Sequence, residues 1–319
     1  MVQQYQRILV AGGAGFIGSH IVEALLETGA EVTVLDNLFT GRMSNLESFT
    51  GNKDFHFIKG DVRNADQVRV AVRNVDAVFN DAAIVSVRMS IENPLLVNEV
   101  NVNGTLNLLK ASLDSEVKRF VQASSASVYG DAKSLPIVEE TPPKPISPYA
   151  VSELAAENYA RAFHEVYGLE TVCLRYFNVY GPRQSYSPYT GAITLFMNQL
   201  MSNEPITIFG DGEQTRDFVY VEDVASANLL ALTRKGAAGE AFNIATGTGT
   251  SVNTLVKTLK DIVGKSSIKL LRTESKPGEI KHSVASIEKA RRILDYKPVF
   301  GIETGLKQLV RWCTSKPIH

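Results

Sequence analysis

Cysteine is nearly absent: the chain has 2 among 319 residues, Cys173 and Cys313. Set that far apart, they offer neither the paired spacing of a metal site nor that of a dithiol redox centre. Cys173 falls in the apolar run Thr171-Val-Cys-Leu, where a small core residue is expected. Charge of one sign is lacking too. A formal net charge of −1, with acids and bases interspersed, leaves no electrostatic footprint for nucleic acid or an anionic membrane. No stretch reaches the roughly eighteen consecutive apolar residues that a spanning helix needs, and a core strand begins almost at the N-terminus. Neither a signal peptide nor a transmembrane span is predicted, and a soluble, reduced, cytoplasmic protein is expected.

What is present begins at Arg7. The apolar run Ile8 to Ala11 reads as a strand buried on both faces, and Phe16, Ile17, Ile21, Leu25 and Leu26 then recur at helical spacing. Between them stand Gly12, Gly15 and Gly18. In such a turn the first glycine permits the tight bend, the second lets backbone approach a pyrophosphate, and the third lets helix pack on strand. The helix N-terminus then points free N–H groups at the phosphates. A second strand, Glu31-Val-Thr-Val-Leu, ends at Asp36, where an acid can bond adenosine ribose hydroxyls and repel a ribose 2′-phosphate. NAD is therefore expected rather than NADP. A P-loop is excluded, because no Gly-Lys-Ser/Thr follows the turn.

Strands continue to alternate with helices: Phe55-His-Phe-Ile, Asp76-Ala-Val-Phe-Asn, Arg119-Phe-Val-Gln-Ala and Thr171 to Tyr176, with helical patterns over 66–72, 94–113 and 148–166. Alternation of this kind predicts an α/β fold with a doubly wound parallel (Rossmann) sheet and ligands outside the carboxyl ends of its strands. After residue 178 turn signals crowd the chain, at Gly181-Pro182-Arg183, Gly210-Asp-Gly212 and Lys276-Pro-Gly-Glu279. A second, smaller, discontinuous domain is predicted over about 179–238 and 247–319, with Ala241-Phe-Asn-Ile-Ala returning to the main sheet. The larger domain is then 1–178 plus about 239–246.

Two further stretches carry hydroxyls. Ser124-Ser-Ala-Ser127-Val-Tyr-Gly130 follows a buried strand, which places its serines at the carboxyl edge of the sheet. Ser147-Pro148-Tyr149 opens a helix, with Ser147 as N-cap and Pro148 at the first helical position. Taken singly, Ser125 reads equally as a turn hydroxyl and Tyr149 as a helix-surface aromatic.

Together with the glycine turn, these stretches resemble the extended short-chain dehydrogenases/reductases, and within them the UDP-hexose 4-epimerases. The matching motifs are Gly12 to Gly18, Asp36-Asn37, Gly60-Asp61-Val62, Ala82-Ala83, Asn101-Val-Asn-Gly-Thr, Ser124 to Gly130, Ser147 to Tyr149, Arg175 to Arg183, and Gly210 to Asp217. By this resemblance Gly12, Gly15, Phe16, Ile17, Gly18, Asp36 and Asn37 bind the cofactor, Asp61 and Val62 flank its adenine, and Ala82, Ala83, Asn101, Tyr149 and Tyr176 line its cleft. Ser125, with Ser127 nearby, would hydrogen-bond the sugar O4, and Tyr149 would be the acid/base. Asn178 and Arg216 would bind the diphosphate, and Thr207 and Phe209 would lie beside the uracil. The implied activity is inversion at C4 of a UDP-hexose, through transient oxidation to a 4-keto sugar on bound NAD. The resemblance also implies a homodimer paired through helices at about 95–114 and 148–167, with Val100, Leu106, Leu109, Leu154, Ala155 and Tyr159 as apolar surface.

The chain departs from that pattern twice. Tyr-x-x-x-Lys reads Tyr149-Ala-Val-Ser-Glu153, and residues i and i+4 share a helix face. The resembling enzymes' Lys lowers the tyrosine pKa; an ionised Glu153 would raise it, although it could still accept ribose hydrogen bonds. Protonation of Glu153, or a cation such as Arg88, would relieve that conflict. The second departure is Lys276 at an arginine position three before Glu279, which keeps charge but loses the bidentate fork. Counting four past Glu279 gives Ser283, a small residue at a position that limits space near the sugar C2, so N-acetylated sugars are expected to fit. A 4,6-dehydratase would need acids where Ala126 and Ser127 stand, a related decarboxylase would carry Glu at 127, and fucose-synthase-like reductases a cysteine near Ser125. The alternative from another class is a catalytically weak or inactive nucleotide-sugar-binding protein, motivated by Glu153.

Overall fold

The computed structural model describes residues 4–185, 191–275 and 280–315. Glycine turns join short apolar strands to amphipathic helices through the first half: β1 (Arg7–Ala11), α1 (Phe16–Glu27), β2 (Glu31–Asp36), β3 (Phe55–Lys59), α2 (Ala65–Val72), β4 (Ala77–Asn80), α3 (Val87–Glu92), α4 (Pro94–Asn98), α5 (Gly104–Asp114), β5 (Arg119–Ser125), α6 (Pro148–Tyr167) and β6 (Glu170–Tyr176). Then follow β7 (Asn178–Tyr180), α7 (Ala192–Met201), β8 (Ile206–Phe209), β9 (Thr215–Tyr220), α8 (Val221–Thr233), β10 (Ala241–Ile244), β11 (Gly249–Ser251), α9 (Val252–Val263), β12 (Leu270–Thr273), β13 (His282–Ser283), α10 (Glu288–Leu294) and α11 (Ile302–Ser315).

Seven parallel strands form the main sheet in the order β10-β6-β5-β4-β1-β2-β3. Strand order reverses between β1 and β4, and a crevice opens there at the carboxyl ends. Period-two alternation divides the burial. Ile8 and Val10 face one layer with Ile21, Val22 and Leu25 of α1; Leu9 and Ala11 face the other with Val68 and Val72 of α2 and Leu108 and Leu109 of α5. Cys173 is buried in that second layer, free of any disulfide. The expected return of Ala241–Ile244 is found, parallel to β6.

Three features differ from the sequence-based expectation. The helix over 94–113 is interrupted: Glu99–Asn103 winds as a wider π turn between α4 and α5. Such a turn shifts the phase of everything after it, so a face read straight through at 3.6 residues per turn is lost. Leu109, expected on a partner-facing surface, is buried against α2. The domain boundary also moves. Helix α8 packs on α1, and its Val224, Ala227 and Leu232 share one core with the main sheet. The same core takes Ile287 and Leu294, on and just before α10. Both segments were expected in the smaller domain; their apolar faces cover the main sheet instead. The smaller domain keeps a separate core of Phe196, Leu200, Ile206, Ile208, Leu255, Leu259 and Leu306. There β9 lies between β11, antiparallel, and β13, parallel, and also pairs with β7, while β8 and β12 form a second ladder.

Candidate active site

The turn after β1 is shaped for phosphate. Gly12 has φ +80° and a Cβ on it would meet Asp81 and Ala82 backbone at 2.7 Å; a Cβ on Gly18 would meet the Gly12 carbonyl oxygen at 2.3 Å. Glycine is required at both. Gly15 caps α1 without a side-chain bond and no acid stands in the first turn, which leaves the helix N–H groups for an anion. The crevice beside it is lined by Gly12, Gly15, Asp36, Asn37, Val62, Ala82 and Ala83, all expected there, while Phe16, Ile17 and Gly18 open α1 directly beneath. Leu35, Phe39, Arg63, Asp81, Leu96 and Val100 line it too and were not foreseen. Hydrophobic or singly charged loop residues carry no motif of their own; only the fold gathers them.

Asp36 accepts N–H bonds from Ala14 at 2.9 Å and Leu38 at 2.8 Å, which fix its carboxylate at the end of β2. Burial pushes its pKa up against those two bonds. Asp61 accepts from Asn37 at 2.9 Å and pairs with Arg63 at 2.7 Å, and that guanidinium holds its carboxyl far below the usual range. An anionic Asp36 within the crevice suits free ribose hydroxyls, and the open glycine cradle accepts a diphosphate. The residues present therefore fit NAD.

At the carboxyl edge of β5, the Ser125 hydroxyl accepts from Ser127 N–H at 3.1 Å and lies near enough to the Tyr149 phenol to act on its ionisation. Among the described residues the buried Ser127 Oγ has no partner. Ser147 caps α6 as expected, accepting from Ala150 N–H at 3.2 Å, and Pro148 occupies the first turn. That start aims Tyr149 inward. Burial raises its pKa strongly, Glu153 raises it further, and Ser125 pulls the other way.

Glu153 is itself buried, one helical turn beyond Tyr149. Its Oε1 accepts from Asn101 Nδ2 at 3.3 Å, and Asn101 also accepts from Ile84 N–H at 2.8 Å, so the π turn anchors the crevice loop to α6. Burial first, then Glu157 and Asp81, push the Glu153 pKa to about 8. Arg88 of α3 pairs with Glu92 at 2.7 Å. Tyr176, at the end of β6, exchanges hydrogen bonds of 2.9–3.1 Å with Asn228 of α8.

A second cavity lies in the smaller domain. Asn178 and Arg216 line it, with Gln184, Gln214 and Phe218. Asn178 donates to the Asp217 carbonyl at 3.2 Å, and Arg216 to the Thr215 carbonyl at 2.9 Å. On β8, Ile206 and Ile208 enter the core, so Thr207 and Phe209 share the opposite face. Ser283 of β13 stands in register with Arg216 of β9. Lys276 and Glu279 lie outside the described residues.

A doubly wound sheet with a glycine cradle, an acid at the end of β2, and a Ser–Tyr hydroxyl pair beside the crevice defines an NAD-dependent enzyme of the extended short-chain dehydrogenase/reductase type. The model of the NAD dependent epimerase/dehydratase family matches residues 8–245, and the chain belongs to that family. It resembles the UDP-glucose 4-epimerase of Thermotoga maritima, solved with UDP-glucose, at 38% identity and TM-score 0.91, over 97% of this chain and 99% of that one. The UDP-N-acetylglucosamine 4-epimerase of Methanobrevibacter ruminantium, solved with UDP-N-acetylmuramic acid, is 38% identical with TM-score 0.93, over 97% and 98%. The UDP-glucose 4-epimerase of Thermus thermophilus, solved with NAD, is 38% identical with TM-score 0.87, over 96% and 98%. NAD is the cofactor, and the chain is an epimerase-type isomerase.

Proposed function

We propose that the chain inverts C4 of a UDP-hexose, with UDP-glucose and UDP-galactose as the reference pair. The observation that carries this reading is the placement of Ser125 and Tyr149 together at the sheet edge, close enough for the serine hydroxyl to act on the phenol, with the cofactor crevice on one side. The Asn178–Arg216 cavity of the smaller domain supports it as a place for the diphosphate, because a guanidinium fork matches phosphate oxygens. Bound NAD would accept the C4 hydride and return it. Ser125 holds the sugar O4, Tyr149 takes its proton as phenolate and gives it back on the other face, and the buried edge excludes water. The test is interconversion of UDP-glucose and UDP-galactose by purified protein without added cofactor. Binding of either sugar with no turnover would favour a catalytically inert binding protein, the reading that the buried Glu153 supports.

N-acetylated sugars belong to the same proposal. Ser283 is small and in register with Arg216, and one relative bears the name UDP-N-acetylglucosamine 4-epimerase. Ser283→Tyr should depress turnover of UDP-N-acetylglucosamine at least tenfold more than that of UDP-glucose, since steric exclusion on this scale exceeds about 1.4 kcal/mol. Equal losses on both substrates would remove Ser283 as the gate.

A homodimer also belongs here. Ile91 of α3, Leu95 of α4 and Val151 and Tyr159 of α6 are exposed on three helices that pack together, whereas Leu106, Leu154 and Ala155 are half-buried. Exposed aliphatic side chains grouped in this way favour a self-complementary face. Light scattering at micromolar concentration should give twice the 34.9 kDa chain mass. A monomer mass refutes it.

A further inference from the structure

Asp81 carries no family motif and no part of the reaction described above, yet it ends β4 inside the cofactor crevice. Its N–H donates to the Ala11 carbonyl at 2.9 Å, which fixes its backbone against the Gly12 turn. Its carboxyl lies near enough to act on the Tyr176 hydroxyl and on Glu153. Asp81 lines the crevice at the sheet edge, while Glu153 stands behind it on α6, linked to the crevice residue Ile84 through Asn101.

Among the described residues, no cation acts on either acid. The groups that face the pair are Tyr149, Ser152 and Glu157 from α6; from β5, Ser124 and Ser125; from β6, Tyr176; from the π turn, Asn101; from α8, Asn228. Arg175 of β6 gives its guanidinium to both oxygens of Glu157, at 3.0 and 2.5 Å, and to the Tyr129 hydroxyl at 2.6 Å. Arg88 of α3 pairs with Glu92.

If Tyr149 is the acid/base, the ring that exchanges hydride with the substrate must lie beside it, and Glu153 is one turn along the same helix face. The oxidised nicotinamide carries a positive charge and the reduced ring is neutral. A carboxylate near the ring at low dielectric therefore favours the oxidised form. We propose that Asp81 and Glu153 act as an acid pair that tunes the bound cofactor, favouring NAD over NADH and taking up a proton when the ring is reduced. This rests on the reading of Tyr149 given above. Asp81 and Glu153, lifted to about 7 and about 8 chiefly by burial, titrate where such coupling is visible.

The test reads a potential, in the absence of any sugar, so it is independent of whether the protein epimerises. Holoprotein is equilibrated with redox dyes from pH 6 to 9 and the bound couple is followed by the absorbance of NADH. A two-electron, one-proton couple falls about 30 mV per pH unit, the tenfold value for two electrons. Proton uptake by the pair should make the unmodified protein fall more steeply than that across pH 7 to 8. Asp81→Asn and Glu153→Gln should each raise the reduced-to-oxidised ratio about tenfold near pH 8, about 30 mV, and flatten the excess slope. A slope of about 30 mV per unit throughout in the unmodified protein overturns the proposal, whatever the variants do. So does an unchanged potential in both variants.

Discussion

Glu153→Lys should raise turnover at neutral pH about ten- to a thousandfold and move the pH optimum down. A free tyrosine titrates near 10. In this site burial and Glu153 both push the phenol above that, with only the nearby Ser125 hydroxyl pulling it back. Nearby charges typically move a pKa by about 1–3 units, and each unit changes the reactive phenolate about tenfold. The sign follows from the Glu153 pKa of about 8, raised by burial and by Glu157 and Asp81. Below that value the acid is mostly neutral and offers no help; above it the anion opposes the phenolate. Turnover of the unmodified protein should thus be weak at pH 7 and climb slowly towards alkaline pH, held back above about pH 8. A lysine at the same position would face Asp81 and Glu157, two acids that keep it charged. Glu153→Gln separates the two effects, removing the restraint above pH 8 without the gain at neutral pH. The measurement is initial rate from pH 6 to 10 on UDP-glucose for all three proteins. If Glu153→Lys changes neither rate nor profile, position 153 does not govern Tyr149.

The largest expected loss of stability comes from Arg175→Met, at about 3–5 kcal/mol. Arg175 and Glu157 have side chains 4% and 0% exposed. The guanidinium also donates to the Glu139 carbonyl at 3.0 Å, and Glu157 accepts from Ser124 at 2.8 Å. The network thereby ties β5, β6 and α6 together under the active-site edge. Removing one partner strands a charge in a dry layer, and folded domains are stable by only about 5–15 kcal/mol. Replacing both, as Arg175→Met with Glu157→Leu, should recover most of the loss, because desolvation of a buried pair offsets much of its attraction. Urea unfolding of the three proteins gives the comparison. A loss under about 1 kcal/mol in the single variant would show that the pair contributes little to holding the layers.

Much of the main sheet was legible because each strand is a short apolar run closed by a turn residue, and because Gly12 and Gly18 are needed for backbone reasons that no other residue meets. The N-cap at Ser147 was legible for the same kind of reason. What could not be read depends on contacts distant in sequence. A π turn at Glu99–Asn103 has no residue signature, and Leu109 is buried by α2, a distant segment of the chain. The run 221–233 is apolar enough to serve either domain, and only the position of α1 decides which one it covers. Asp81 follows a strand like many turn acids; its meaning arises because Glu153 arrives from α6. The resemblance placed Thr207 and Phe209 on one ligand with Asn178 and Arg216, and the strands place the first two on the outer face of β8 and the others around a cavity on β7 and β9.

The pairing of β10 with β6 bears on how a ribosome delivers this protein. All of β7, α7, β8, β9 and α8 must emerge before Ala241–Ile244 can close that side of the sheet. Until then the backbone of β6 presents an open edge, the kind of surface that recruits strands from other chains. Helix α8, which packs on α1, also arrives late, so the apolar surface of α1 and of the sheet that it covers stays bare through most of synthesis. Non-local closure of this sort slows folding. Nascent chains halted before residue 241 should therefore require a chaperone to remain dispersed, while those that pass it should bury the edge and let go.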